Sequence, residues 1–138
     1  MPDLFLSDDI KITKLQDHTT AATSTVTSDE LDMVGYDGVV FITSFGTAAA
    51  NNLVTLHHSD TTGTEAATVA LKASGTSDED VVLDVLYPKR FCKLVASRGT
   101  SSTLESIWAI QYKARAKAVT NALSGTLAIA KFNTPALA

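Results

Sequence analysis

The sequence predicts an all-β domain: an antiparallel sandwich or barrel of about seven or eight strands, Greek-key or jelly-roll-like, with an extended N-terminal arm. Three observations carry that expectation. Thr occurs 19 times and Ser 12 times, while charged residues make up 19% of the chain, a composition that suits strands and polar loops. Short β-branched and aromatic runs recur between Gly, Pro, Asn, Asp and Ser punctuation. Between those runs there is no convincing helical period, which argues against βαβ units.

The elements follow in order. Residues 1–27 read as an arm, acidic at first and then Thr-rich, holding one short strand over 10–15. Residues 28–138 read as the sandwich domain. Ser28-Asp29-Glu30-Leu31 resembles a helix start, with acids in the first turn, and Gly35 limits it to a single turn. Residues 39–45 are apolar on both faces and suit a central strand ended by Gly46. Strands follow over Leu53–Ser59, 67–73 and 81–87, the last halted by Pro88. Phe91–Ser97 and 104–113 come next, then 125–132. In 104–113 the alternation places Leu104, Trp108, Ile110 and Tyr112 on one face and Glu105, Gln111 and Lys113 on the other. Residues 112–123 contain strong helix formers and are either a short helix or a linker. Val39, Phe41, Ile42, Leu83, Val85, Val95, Trp108, Ile110 and Leu127 form the expected core.

The 138 residues suit one domain able to bury its own core. The net charge of −4 lacks the basic face of a nucleic-acid binder. Eight acids against two lysines lie within residues 1–38, so an acidic N-terminal third faces a mildly basic remainder. Such an asymmetry serves either a solvated surface or contact between subunits. No run approaches the roughly 20 apolar residues of a membrane span, and the start lacks the basic and apolar regions of a signal peptide. The expectation is a protein made and used in solution.

Catalytic and metal-binding patterns are weak. His57 and His58 are adjacent on a strand and point to opposite faces, so they cannot chelate one ion together. Asp78-Glu79-Asp80 lacks the spacing of a calcium loop and reads as a solvated turn. Cys92, the single cysteine, reads as a buried, inert thiol. There is no nucleophile elbow and no glycine-rich phosphate loop. The chain is therefore expected not to be an enzyme, with no cofactor and no metal. Lys113, Arg115 and Lys117, if extended, project to one side as a cationic strip, either for an acidic protein patch or as a solvated edge.

Three segments bear a likeness. They are residues 36–42 (Tyr-Asp-Gly-Val-Val-Phe-Ile), then 85–91 (Val-Leu-Tyr-Pro-Lys-Arg-Phe) with Val95 and Arg98, then 107–115 (Ile-Trp-Ala-Ile-Gln-Tyr-Lys-Ala-Arg). In this order they resemble small proteins of tailed bacteriophages and prophages encoded near the major capsid protein, the head decoration or cement proteins. The likeness spans about residues 33 to 120. It implies a β-rich knob on the outside of an icosahedral shell and no active site. The implied partner is the major capsid protein, the implied assembly a symmetric homo-oligomer, commonly trimeric or dimeric. The implied location is the virion surface, with the host cytoplasm during assembly. Neither nucleic acid nor membrane is an expected partner. Tail-tube or head–tail connector proteins and carbohydrate-binding or adhesion sandwiches are the competing readings.

The expected contact residues are Leu4, Phe5, Ile10 and Ile12 in the arm, Arg90, and Lys113, Arg115 and Lys117 in the cationic strip. Ile10 and Ile12 alternate with Lys11 and Thr13, which suits strand addition to a second copy or to the shell protein. The same stretch can instead complete the chain's own sheet. Arg90-Phe91 is an anchor candidate, or else Phe91 simply opens a strand with its ring in the core.

Overall fold

The computed structural model describes residues 10–47, 49, 51–72, 80–113 and 127–133. All regular structure among them is β: β1 (Lys11–Gln16), β2 (Thr19–Ala22), β3 (Val26–Thr27), β4 (Leu31–Asp32), β5 (Gly38–Ser44), β6 (Leu53–Ser59), β7 (Ala66–Lys72), β8 (Asp80–Leu86), β9 (Phe91–Ser97), β10 (Ser102–Leu104), β11 (Ile107–Tyr112) and β12 (Leu127–Asn133). Eight of these strands have six or seven residues, and the rest are shorter. The front sheet has the order β1-β11-β5-β8-β12. The back sheet has the order β3-β9-β6-β7, with β4 also on β9. β2 and β10 form a small ribbon. The result is a sandwich, not a closed barrel. Its ladders are antiparallel, except that β12 runs parallel to β8.

The core lies between the two large sheets. From the front come Leu15, Val39, Phe41, Val81, Leu83, Val85, Ile107 and Ala109; from the back come Val54, Leu56, Cys92, Leu94 and Ala96. Strict alternation along β6, β8 and β9 places every second residue inside. Polar inner positions are few. One is Arg98, whose guanidinium donates to the carbonyls of Ser24 (2.8 Å), Thr20 (2.7 Å) and Ser102 (3.0 Å) and to Ser24 Oγ (2.9 Å). It ties the β2–β10 ribbon to the end of β9. Beside it, buried Asn52 donates to the Thr47 carbonyl and accepts from the Gly99 N–H, both at 2.9 Å.

Several expectations need correction. From Lys11 onward the presumed arm is part of the sandwich: β1 pairs with β11, β2 with β10 and β3 with β9. The expected strand at 10–15, observed as Lys11–Gln16, thus completes the chain's own sheet, and Leu4 and Phe5 lie outside the described residues. Ser28-Asp29-Glu30-Leu31 forms no helical turn. Ser28 continues the edge between β3 and β4: its N–H donates to the Leu94 carbonyl (2.9 Å), and its Oγ accepts from the Leu94 N–H (3.0 Å). The serine makes one backbone bond to the neighbouring strand and its hydroxyl stands in for the carbonyl of a second, so local hydrogen bonding competes with any helical turn.

The face assignment of residues 104–113 is also reversed in part. Trp108, Ile110 and Tyr112 do share a face, but it is the outer one; Ile107, Ala109 and Gln111 point inward. Trp108 is 42% exposed and Ile42 38% exposed. Val95 and Ile110 are half-buried, whereas Val39, Phe41, Leu83 and Val85 are core. The side chain of Leu127 and the 114–123 part of the candidate helix lie outside the described residues. Alternation alone cannot tell the two faces of a strand apart when both carry apolar groups.

Candidate interaction surface

The start of β5, the end of β8 and the end of β11 meet at one end of the sandwich. β5 lies between β11 and β8, and the loops that follow them are stitched by backbone bonds. Asp37 N donates to the Tyr112 carbonyl at 3.0 Å, Tyr87 N to the Asp37 carbonyl at 2.7 Å, and Met33 N to the Arg90 carbonyl at 2.7 Å. Gly35 has φ 85°, the left-handed region that glycine enters without strain, and so permits the tight 33–36 turn.

Two exposed apolar side chains crown this end: Val34 at 62% and Tyr87 at 50%. Tyr87 has φ 56°, costly for a residue with a Cβ, and its N–H is tied to the Asp37 carbonyl. Arg90 stands beside them. Its Nε and Nη2 donate to Asp32 Oδ1 (3.0 Å) and Oδ2 (3.1 Å), a two-point grip, and the guanidinium lies 4.9 Å from the Phe91 ring centroid. That hydrogen bond from Arg90 first, and then the Val34 N–H, hold the Asp32 carboxyl below its usual range. Phe91 is half-buried under this guanidinium, not seated in the core. The arginine is thus fixed in direction while remaining exposed.

The other expected contact residues are scattered. Ile12 is 51% exposed on the outer face of β1, across from Ile110. Ile10 is half-buried just before that strand and Lys113 is exposed just after β11. Arg115 and Lys117 lie outside the described residues, so the cationic strip as a unit does too, as do Asp78 and Glu79 of the acidic loop. Missed in the sequence was the outer depression of about 450 Å³ bounded by Ile42, Val82 and Trp108 together with Ser44, Asp80 and Glu105. Its signal was available: in residues 39–45 apolar groups occupy both faces, which requires an apolar outer surface as well as a core.

The histidines point apart as their adjacency requires. His58 is buried; its Nδ1 accepts from the Lys89 N–H at 3.0 Å, which assigns the ring proton to Nε2. His57 is half-buried on the other face. Burial lowers the pKa of both below the ordinary imidazole value. Burial likewise pushes the Cys92 thiol up to about 12. Among the described residues no group of three His, Cys, Asp or Glu side chains is arranged to hold a metal ion. No described helix is long and apolar enough to cross a membrane. Comparison of the chain with protein-family models, with curated proteins and with solved structures finds no match.

Proposed function

We propose that this protein is a structural component of a tailed-phage virion, a decoration protein that binds the outside of the capsid shell and holds neighbouring capsid subunits together. The observation that supports the reading is the surface at the end of the sandwich where Asp37, Tyr87, Arg90 and Tyr112, each from one of the likeness-bearing segments, come together with Asp32. There Tyr87 and Arg90 are exposed yet conformationally held, by a left-handed backbone and by Asp32 respectively. Tyrosine and arginine dominate protein–protein contact energies, and side chains already fixed lose less entropy on docking. A sandwich of this kind supplies a rigid mount for such anchors. The shell-binding copy is a homo-oligomer, a trimer or a dimer.

The test is co-sedimentation with empty shells assembled from the major capsid protein of the phage or prophage that carries it. Wild-type protein is expected to pellet with shells. The double variant Tyr87→Ala, Arg90→Ala should lose about tenfold or more in affinity while keeping its far-ultraviolet circular dichroism. Wild-type protein that stays in the supernatant at every shell concentration overturns the proposal. Sedimentation velocity on the protein alone separates the tail-tube alternative, in which the purified chain forms rings or filaments.

A second reading has its own observation. Trp108 is 42% exposed beside a depression edged by Ser44, Asp80, Ser106 and Glu105. An aromatic face next to carboxylates and hydroxyls is the chemistry that takes a sugar ring. A glycan array read with wild-type protein and Trp108→Ala tests it: retention by wild type and loss in the variant would favour carbohydrate binding.

A further inference from the structure

The outer depression beside Trp108 is laid out in two rows. One is apolar: Trp108 on β11 stands opposite Ile42 on β5, and Ile42 stands opposite Val82 on β8. The other is polar. Ser44, two positions beyond Ile42, stands opposite Asp80, two positions before Val82. Glu105 flanks Ser44 on its other side. Its N–H donates to the Ser44 carbonyl at 2.9 Å, and its carbonyl accepts from Thr43 Oγ1 at 3.0 Å. Alternation turns Ile42, Ser44, Asp80, Val82 and Trp108 to the same outer face. With Glu105 they bound about 450 Å³. The rows are about 7 Å apart, two residues along a strand, and the two acids are carried about 10 Å apart, two strand spacings across the sheet.

Both charged residues that line this depression are acidic. Two carboxylates facing one space repel each other, and a cation placed between them turns that repulsion into attraction. A neutral ligand does not. Lys14, opposite Trp108 on β1, places its ammonium 5.9 Å from the indole centroid, but it is already paired with Asp17 at 2.7 Å. On the far flank His18 Nδ1 lies 3.3 Å from Glu105 Oε2, with both side chains about half exposed.

The geometry points to a docking site for an arginine side chain of a partner protein, its aliphatic stem on the Trp108–Ile42–Val82 row and its guanidinium between Asp80 and Glu105. Long basic side chains lay their stems on apolar surface and keep the charged head at its edge, and the separation of the rows matches that reach. The five guanidinium donors serve two carboxylates and the Ser44 hydroxyl together. A lysine brings the same charge on a more strongly hydrated head without the fork. Ser44 and Asp80 lie at the opposite end of the β5–β8 ladder from Gly38 and Leu86, so this contact is separate from the Tyr87 and Arg90 end. It does not rest on the capsid reading.

Trp108 is the single tryptophan, so its fluorescence reports the site in the intact protein. The probe is the capped peptide acetyl-Gly-Val-Arg-Val-Gly-amide, compared with the same peptide carrying citrulline, an uncharged isostere, in place of arginine. The arginine peptide is expected to saturate the signal and to bind about tenfold or more tightly than the citrulline peptide. Asp80→Asn combined with Glu105→Gln should abolish that difference while circular dichroism stays unchanged. Tyr87→Ala combined with Arg90→Ala should retain it. In wild-type protein, raising the salt from about 0.05 to about 0.5 M should weaken the arginine peptide several-fold and leave the citrulline peptide unaffected. Equal binding or equal salt response of the two peptides overturns the inference, as does a difference that survives loss of both acids or disappears with Tyr87 and Arg90. No saturable change up to about 10 mM peptide overturns it too. A neutral glycan that binds where the arginine peptide fails assigns the depression to a sugar instead.

Discussion

The ring of Tyr112 occupies the space that a side chain at position 38 would fill. A Cβ built on Gly38 would collide with the ring's Cζ and hydroxyl atoms. Glycine leaves a gap in the central strand, and the aromatic ring of the adjacent strand closes it. From there the Tyr112 hydroxyl reaches over β5 and donates to Asp84 Oδ1 at 2.6 Å. Three strands of the front sheet are thus tied together on the outer face by one side chain.

Gly38→Ala is accordingly expected to destabilise the protein by about 1–3 kcal/mol, because the methyl group displaces a packed ring. Tyr112→Phe keeps the ring and loses only the bond to Asp84, so its cost should be smaller, about 1 kcal/mol. Urea titration followed by Trp108 fluorescence measures both. A Gly38→Ala variant as stable as wild type would mean that the ring has another place to go.

Arg98 answers three backbone carbonyls and one hydroxyl from a site that is 5% exposed. Removing it leaves the carbonyls of Thr20, Ser24 and Ser102 without this donor. Arg98→Ala should cost about 3 kcal/mol or more, and Arg98→Lys should recover little, since an ammonium cannot span the same fork. Amide hydrogen exchange should show β2 and β10 losing protection first. Unchanged exchange there would refute the pinning role.

Stability should decline on the acid side of neutrality. The pKa values of His57 and His58 are lowered in the folded chain, chiefly by burial. The unfolded chain therefore binds more protons below about pH 6.5, and stability falls as pH drops through that value. His58→Asn places an amide oxygen where Nδ1 accepts from Lys89 N and carries no titrating group. Melting temperatures between pH 7.5 and 5 should fall less steeply for this variant than for wild type. Parallel curves would rule out His58 as a contributor.

At alkaline pH the sign is reversed. Burial raises the Cys92 thiol to about 12 in the fold, whereas the unfolded thiol ionises near 9. Stability from this group is intact below pH 9 and is lost as pH rises toward 12. The same burial predicts that a thiol-specific reagent at pH 8 reacts only as fast as the protein opens. Reaction at the rate of a free thiol would contradict the placement of Cys92.

The positions of the eight longer strands were legible because each lies between residues that break a ladder, whereas β2, β3, β4 and β10 were not foreseen. Leu53–Ser59 and Phe91–Ser97 have the bounds expected from their flanking turns. Which face turned inward was less legible. Trp108 and Ile110 alternate with Ala109 and Gln111, and side-chain size favours burying the tryptophan. The fold instead buries the small Ala109, and Gln111 Nε2 donates to the Asp32 carbonyl at 2.9 Å. That carbonyl comes from a segment 79 positions away, which no local pattern announces. The same holds for the candidate surface. Arg90 was expected to matter, but the Asp32 that fixes it became visible only once β4 was laid on β9.

The parallel seam between β8 and β12 also sets a schedule. Asp80–Leu86 leaves the ribosome long before Leu127–Asn133, the strand that covers its free edge. At about 5–20 residues per second, that edge stays open for a few seconds in every nascent chain. It is alternately apolar, with Val81, Leu83 and Val85 on one side, and so is a template on which a second unfinished chain can add a strand. Recovery of native protein should therefore depend on how crowded the polysome is and whether a holding chaperone is at hand, more than on the final stability of the sandwich.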